Sequence, residues 1–242
     1  MSGRQNFINS LMNKAPYFVM AAVLFAMGAC KNNKQGTKPG EAQADTGQAV
    51  TKPAEVKTIL FFGNSLTAGY GVDPSEAFPA LIQNRIDSLK LNYKVINGGV
   101  SGETSAGGNG RVDWILRQPV DIFILELGGN DGLRGIPLTE TKKNLQAIID
   151  KVKLKYPHAK LVLAGMQIPP NMGQQYASQF INLYPELATK NKASLIPFLL
   201  QGVGGDPKLN QQDGIHPTAE GHKIVAENVW RVLKPMVEDD AD

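Results

Sequence analysis

The sequence predicts an α/β fold, a three-layer α/β/α sandwich around a central parallel sheet of about five strands, and two observations carry that expectation. Short apolar runs alternate with longer segments of helical period from Val56 onward. The runs are also nearly continuous in their apolar character, as strands covered on both faces must be. Residues 58–62, 94–97, 122–127, 161–164 and 194–196 read as the buried strands. Between them 78–90, 109–117, 139–156 and 177–190 read as helices, and 218–236 closes the chain as another. In the third helix Leu145, Ile148, Ile149 and Val152 recur at three- and four-residue steps, which puts them on one apolar face. Ligands of open parallel sheets bind beyond the carboxyl ends of the strands, so that edge is where candidate residues have to fall.

The chain has 242 residues, and its first 55 do not share this pattern. In residues 1–30, Arg4 and Lys14 precede an apolar run from Tyr17 to Met27, followed by the small residues Gly28 and Ala29 and then Cys30. That order reads as an export signal and is too short for a membrane span. "FAMGAC" resembles a bacterial lipobox, with Met27 where leucine is usual, and the resemblance implies cleavage before Cys30 and its lipidation. An ordinary signal cleaved near Ala29, leaving a free thiol, is the alternative. A lipidated Cys30 implies a membrane-anchored protein facing the periplasm, held by several acyl chains where one alone would bind only reversibly. Residues 31–55 carry no aromatic side chain and read as a flexible polar linker, 56–237 as the folded domain and 238–242 as an acidic tail.

Residues 1–30 hold two basic and no acidic side chains, so without them 23 basic face 22 acidic residues, a net charge near +1. With no Lys/Arg cluster interleaved with aromatics, this argues against nucleic acid as a partner. Cys30 is the only cysteine, which excludes an intrachain disulfide.

Ser65 stands in "LFFGNSLTAGYG", three residues past the first strand, among glycines that permit a sharp bend. A P-loop, a dinucleotide G-x-G-x-x-G and the elbow G-x-S-x-G are all absent. Taken alone the serine reads as a turn former or helix cap. Only three histidines could serve as a base: His158 in a polar turn and His222 in the last helix read as solvated or structural, and His216 sits in "DGIHP". Asp213, three residues before it, is spaced to meet the imidazole Nδ1–H and so to fix its tautomer. A solvated turn capped by Asp213 is the plainer reading of the same residues.

"NGGVSGET" and "LGGND" follow the second and third strands. Gly102 and Asn130 there, with the Ser65 backbone N–H, supply donors of the kind an oxyanion needs, although both stretches also read as tight turns. Ser101 is a rival nucleophile without other support.

Four blocks at one sheet edge make a stronger case together. "GNSLTAGYG", "NGGVSGETS", "ELGGNDGLRG" and "DGIHP" resemble, in order, the blocks of the SGNH or GDSL hydrolases, closest to the bacterial group of multifunctional thioesterase I, protease I and lysophospholipase. The likeness extends through "MQIPPNMGQQY" and covers about 58–235. It implies a flavodoxin-like fold, Ser65 as nucleophile, His216 as base oriented by Asp213, an oxyanion hole of Ser65, Gly102 and Asn130, and no metal or organic cofactor. It also implies a small acyl ester or thioester substrate, with "DGLRGIP" as a loop bordering the acyl pocket; Leu133 and Ile136 are the candidates to line it, and a surface loop packing on its neighbours is the equal alternative. The family's usual aspartate before the serine is Asn64 here. A carbohydrate or peptidoglycan O-acetylesterase shares the blocks, and a non-catalytic glycan- or lipid-binding lipoprotein is the reading from another class.

Overall fold

The computed structural model of the protein describes residues 56–169 and 172–238. The expected signal, Cys30, the linker and all but the first residue of the acidic tail lie outside the described residues. Five strands, β1 (Lys57–Gly63), β2 (Tyr93–Gly99), β3 (Ile122–Glu126), β4 (Lys160–Ala164) and β5 (Ser194–Ile196), form one sheet in the order β2-β1-β3-β4-β5. Every neighbouring pair is parallel. Their apolar runs explain the arrangement: all five residues of β3 are buried, as are the last five of β1, which only a sheet covered on both faces provides.

The helices are α1 (Ser65–Ala68), α2 (Phe78–Ser88), α3 (Ser105–Ile115), α4 (Gly129–Leu133), α5 (Leu138–Lys155), α6 (Gln174–Asn191) and α7 (Ala219–Glu238). The contacts α2·α7 build one layer, and α3·α5 and α5·α6 the other. The reversal of direction after β1 and β2 follows from right-handed crossovers: one connection winds outward over one face, and the others return over the opposite face. Phe61, Phe62, Phe78 and Phe123 are fully buried in the resulting core. Phe61 meets Phe78 edge-on with ring centroids 5.4 Å apart, and each such side chain contributes about 1.5–3 kcal/mol by leaving water.

Two short helices, α1 and α4, stand where the sequence reads as turns, and α3 begins four residues before its expected start. Glycines explain both. Gly107, Gly108 and Gly110 dilute the helical period of α3, whose start is fixed by Thr104, its side chain accepting from the Gly107 N–H at 3.3 Å. The strand order turns back between β1 and β3, so the crevice of the sheet opens above the ends of those two strands, where α1 and α4 begin.

Candidate active site

Ser65 is the first residue of α1, just beyond the end of β1, and only 7% exposed. Asn64 caps that helix: its Oδ1 accepts from the Leu66 N–H at 3.0 Å and lies 3.4 Å from Ser65 Oγ. Gly69 ends the helix with φ +75°, a left-handed conformation natural to glycine. The whole turn rests on Glu126, the last residue of β3, which is 1% exposed. Its carboxylate accepts from Asn64 Nδ2 at 2.8 Å, from the Asn64 N–H at 3.1 Å and from the Thr67 hydroxyl at 2.8 Å, and the Thr67 N–H also points at it. Burial pushes the Glu126 carboxyl up to about 7 against these donors, which act to hold it down. Gly63, paired with Glu126 across the two strands, has to be a glycine because a Cβ there would overlap Thr67 Oγ1 and Glu126 Oε2. The sequence expectations do not include Glu126; the signal it offers is an acid ending an otherwise apolar strand.

His216 comes from the loop before α7. Asp213 Oδ1 accepts from the N–H groups of Ile215 and His216 at 3.0 and 3.1 Å, and Gly214 with φ +75° closes the turn. That leaves Asp213 Oδ2 for His216 Nδ1, at 2.7 Å. The hydrogen bond to His216 is the main reason the Asp213 carboxyl is held down at about 2, with the backbone donors adding to it. An ionised carboxylate only accepts, so Nδ1 carries the proton and Nε2 is left as the acceptor. Nε2 lies 2.9 Å from Ser65 Oγ, across 151 residues of sequence. The Tyr70 ring packs on the imidazole at 4.7 Å, and the His216 carbonyl accepts from the Gln211 N–H at 2.7 Å, so both ring and backbone are held.

Asn130, in α4, stands at the edge of the same crevice; its Nδ2 donates to the Glu103 carbonyl at 2.9 Å, which uses one of two hydrogens. Gly102, exposed with φ +78°, lies in the turn after β2, and its carbonyl accepts from Arg134 Nη2 at 3.0 Å. Ser101 is exposed in that turn, and the imidazole bond goes to Ser65 instead. Asp131 is fully buried and accepts from the Ser105 N–H at 2.8 Å, the Ser105 hydroxyl and the Thr141 hydroxyl, which ties α4 to α3 and α5.

Beside Ser65 and His216 opens a cavity of about 450 Å³. Leu133 lines it, together with Leu66, Met166, Ile168, Phe198, Leu200 and Ile215. Ile136 does not belong to its described lining, so of the two expected lining residues only Leu133 is found there; Ile136 is half-buried, and its carbonyl accepts from the Tyr176 hydroxyl at 2.7 Å, as a loop packed on its neighbours would. Met166, Ile168, Phe198 and Leu200 are additions to the expected lining, and apolar residues just past the ends of β4 and β5 are where it has to come from.

His158 is exposed, whereas His222 is 1% exposed on α7, its Nδ1 accepting from the Phe78 N–H at 3.3 Å. It is therefore structural and not solvated. Among the described residues no three His, Cys, Asp or Glu side chains cluster as a metal site requires.

The profile of the GDSL-like lipase/acylhydrolase family matches residues 61–224. Esterase TesA of Pseudomonas aeruginosa is 39% identical over 189 residues, 78% of this chain and 93% of that protein. The thioesterase 1/protease 1/lysophospholipase L1 of Escherichia coli is 36% identical over 191 residues, 78% of this chain and 89% of that one. Among solved structures, the esterase EstA from Pseudoalteromonas sp., crystallised inhibited by monoethylphosphonate, superposes with a TM-score of 0.71 at 31% identity, over 75% of this chain and 99% of its own.

Proposed function

The chain belongs to the GDSL-like lipase/acylhydrolase family and is a hydrolase of carboxylic ester bonds, and we propose that it works through Ser65, His216 and Asp213 on acyl esters and thioesters. The observation that carries this assignment is one chain of contacts: Asp213 Oδ2 to His216 Nδ1 at 2.7 Å, and His216 Nε2 to Ser65 Oγ at 2.9 Å, at the mouth of an apolar cavity. Ser65 Oγ attacks the acyl carbonyl carbon while its proton passes to His216 Nε2. The carbonyl oxygen becomes an oxyanion, received by the Ser65 N–H at the start of α1, the Gly102 N–H and the second hydrogen of Asn130 Nδ2. The C–O or C–S bond then breaks, and the leaving alcohol or thiol takes the proton from His216. Water adds to the acyl-enzyme with its proton going to Nε2, and the acid departs as Ser65 recovers its own. Asp213 stays ionised throughout and stabilises the imidazolium.

The cavity's apolar lining favours medium acyl chains over acetyl. That supports an arylesterase, thioesterase or lysophospholipase over an O-acetylesterase, and the triad geometry argues against a silent binding protein. Export, with an anchor on Cys30 facing the periplasm, belongs to the same proposal and rests on the lipobox resemblance; among the described residues no helix is long and apolar enough to cross a membrane.

The test uses the full-length protein and p-nitrophenyl esters from acetate to decanoate. We expect kcat/KM to rise from acetate toward medium chains, and a fluorophosphonate probe to label the wild type but not Ser65→Ala. A Ser65→Ala protein with full esterase activity overturns the nucleophile; a preference for acetate over every longer chain overturns the substrate class.

A further inference from the structure

Glu126 is a buried acid that the mechanism above does not use, and its surroundings are all donors. Asn64 Nδ2, the Asn64 N–H, the Thr67 hydroxyl and the Thr67 N–H point at its two oxygens. An ionised carboxylate, which accepts and never donates, suits that set. The division of bonds is informative. Oε2 takes the Asn64 backbone and the Thr67 hydroxyl, whereas Oε1 takes Asn64 Nδ2. With its nitrogen committed to Oε1, the Asn64 amide has one orientation left, in which Oδ1 caps the Leu66 N–H beside Ser65 Oγ. The reverse orientation would turn an NH₂ group onto the Leu66 N–H and uncap the helix that carries the serine.

We propose that Glu126 is a positioning residue for Ser65, fixing the Asn64 amide by accepting from it, and that asparagine in place of the family's usual aspartate lets this contact form without a shared proton. An aspartate at 64 would set a second carboxyl against Glu126 Oε1, and like charges at that separation resist ionising together in a buried site, so the pair would keep one proton near neutral pH and lose it only as the pH rises further. The inference rests on Ser65 being the nucleophile. Around Glu126 the titratable and charged groups are Tyr184 from α6, whose hydroxyl donates to the Leu127 carbonyl at 3.0 Å, Asp131 from α4, Arg111 from α3, which reaches the Gly63 carbonyl at 3.3 Å, and His216 through Ser65. Arg111 is committed to Glu103 and to backbone carbonyls and does not neutralise Glu126.

The polarity of the contact can be reversed without changing its charge. In an Asn64→Asp/Glu126→Gln double variant the amide introduced at position 126 donates to one oxygen of the carboxylate introduced at position 64, whose other oxygen caps Leu66. The carbonyl of the new amide still accepts from the backbone N–H of residue 64 and from Thr67. The experiment measures kcat and KM of the full-length wild type, both single variants, the double variant and Ser65→Ala on p-nitrophenyl butyrate between about pH 6 and 9.5, a range that brackets the titration of a buried, coupled carboxyl pair. Glu126→Gln alone is expected to lower kcat by about tenfold or more with KM within about twofold, as a misdirected amide at the cap would. Asn64→Asp alone is expected to lose kcat progressively above neutral pH, where the shared proton leaves, while the wild type, whose Glu126 is ionised there, holds its rate over the same alkaline interval. The double variant is expected to recover kcat to within about threefold and to hold its rate over that interval. A double variant no better than Glu126→Gln, or an Asn64→Asp profile superimposable on the wild type, overturns the inference. If Glu126→Gln does not fold, the pH profiles of Asn64→Asp and the double variant decide alone. Activity surviving in Ser65→Ala marks failure of the nucleophile assignment instead.

Discussion

Two histidines six residues apart bracket the start of α7, and their surroundings are opposite. His216 lies in an open turn, with a carboxylate at 2.7 Å on one nitrogen and the Ser65 hydroxyl at 2.9 Å on the other. His222 is buried against the Phe78 ring, with centroids 6.1 Å apart, and its Nδ1 accepts from the Phe78 N–H; among the described residues no carboxylate is bonded to it. One imidazole is placed to pass a proton between two partners, the other to resist charging. Residue type therefore settles little here, and the atoms facing each nitrogen settle the role.

The largest expected effect breaks the first side of this comparison. His216→Ala should lower kcat/KM for p-nitrophenyl butyrate by at least about 10⁴-fold, since the serine loses its proton acceptor. Thermal stability should move little, because the imidazole's main bonds run to groups of the site. A His216→Ala protein within about tenfold of wild-type activity would remove it as the base. His222→Asn, measured beside it, should retain most of the rate.

That contrast also separates what the sequence made legible from what it hid. "DGIHP" was readable because its contacts are local: both carboxylate oxygens of Asp213 bond within three residues. The strands were readable for a similar reason, an apolar run being a property of consecutive residues. Glu126 was not, since its meaning depends on Asn64, 62 residues away, arriving beside it when β1 pairs with β3. His222 was half legible: its place in a helix was evident, but only the packing of α2 on α7 made it buried. Spacing within "DGLRGIP" does not reveal which of its apolar residues faces the cavity, and of the two only Leu133 lines it.

A smaller effect tests how far the Asp213 contact defines His216. In Asp213→Asn the side-chain oxygen keeps the turn, while the NH₂ group meets Nδ1 and favours the tautomer with its proton on Nε2, which cannot accept from Ser65. A loss of about 10²- to 10³-fold in kcat is expected, below the ~10⁴ of a fully buried triad aspartate, because water reaches Asp213 and can take part of its place. The Asp213 carboxyl, held at about 2, stays ionised across any practical assay range, so the comparison of the two proteins is not complicated by its titration. An Asp213→Asn rate equal to the wild type would make the turn, and not the carboxylate, what matters to His216.

The smallest effect is on stability and belongs to His222. Burial, with the nearby His216 adding to it, lowers the His222 imidazole from 6.5 to about 4. In the unfolded chain it takes up a proton as pH falls through 6.5, whereas the folded protein resists until about 4. Between those values the unfolded state binds more protons, so folding weakens as the solution is acidified and the loss levels off below about pH 4. At about 1.4 kcal/mol per pKa unit the full loss is about 3 kcal/mol. His222→Asn keeps an acceptor for the Phe78 N–H and removes the titration. Urea unfolding at about pH 7.5 and about pH 4.5 should then show the wild type losing about 2–3 kcal/mol more than the variant across that interval, even though the variant starts lower from lost packing. Equal losses in the two proteins would mean that His222 charges as readily when folded as when unfolded, and the opposition between the two histidines would rest on geometry alone.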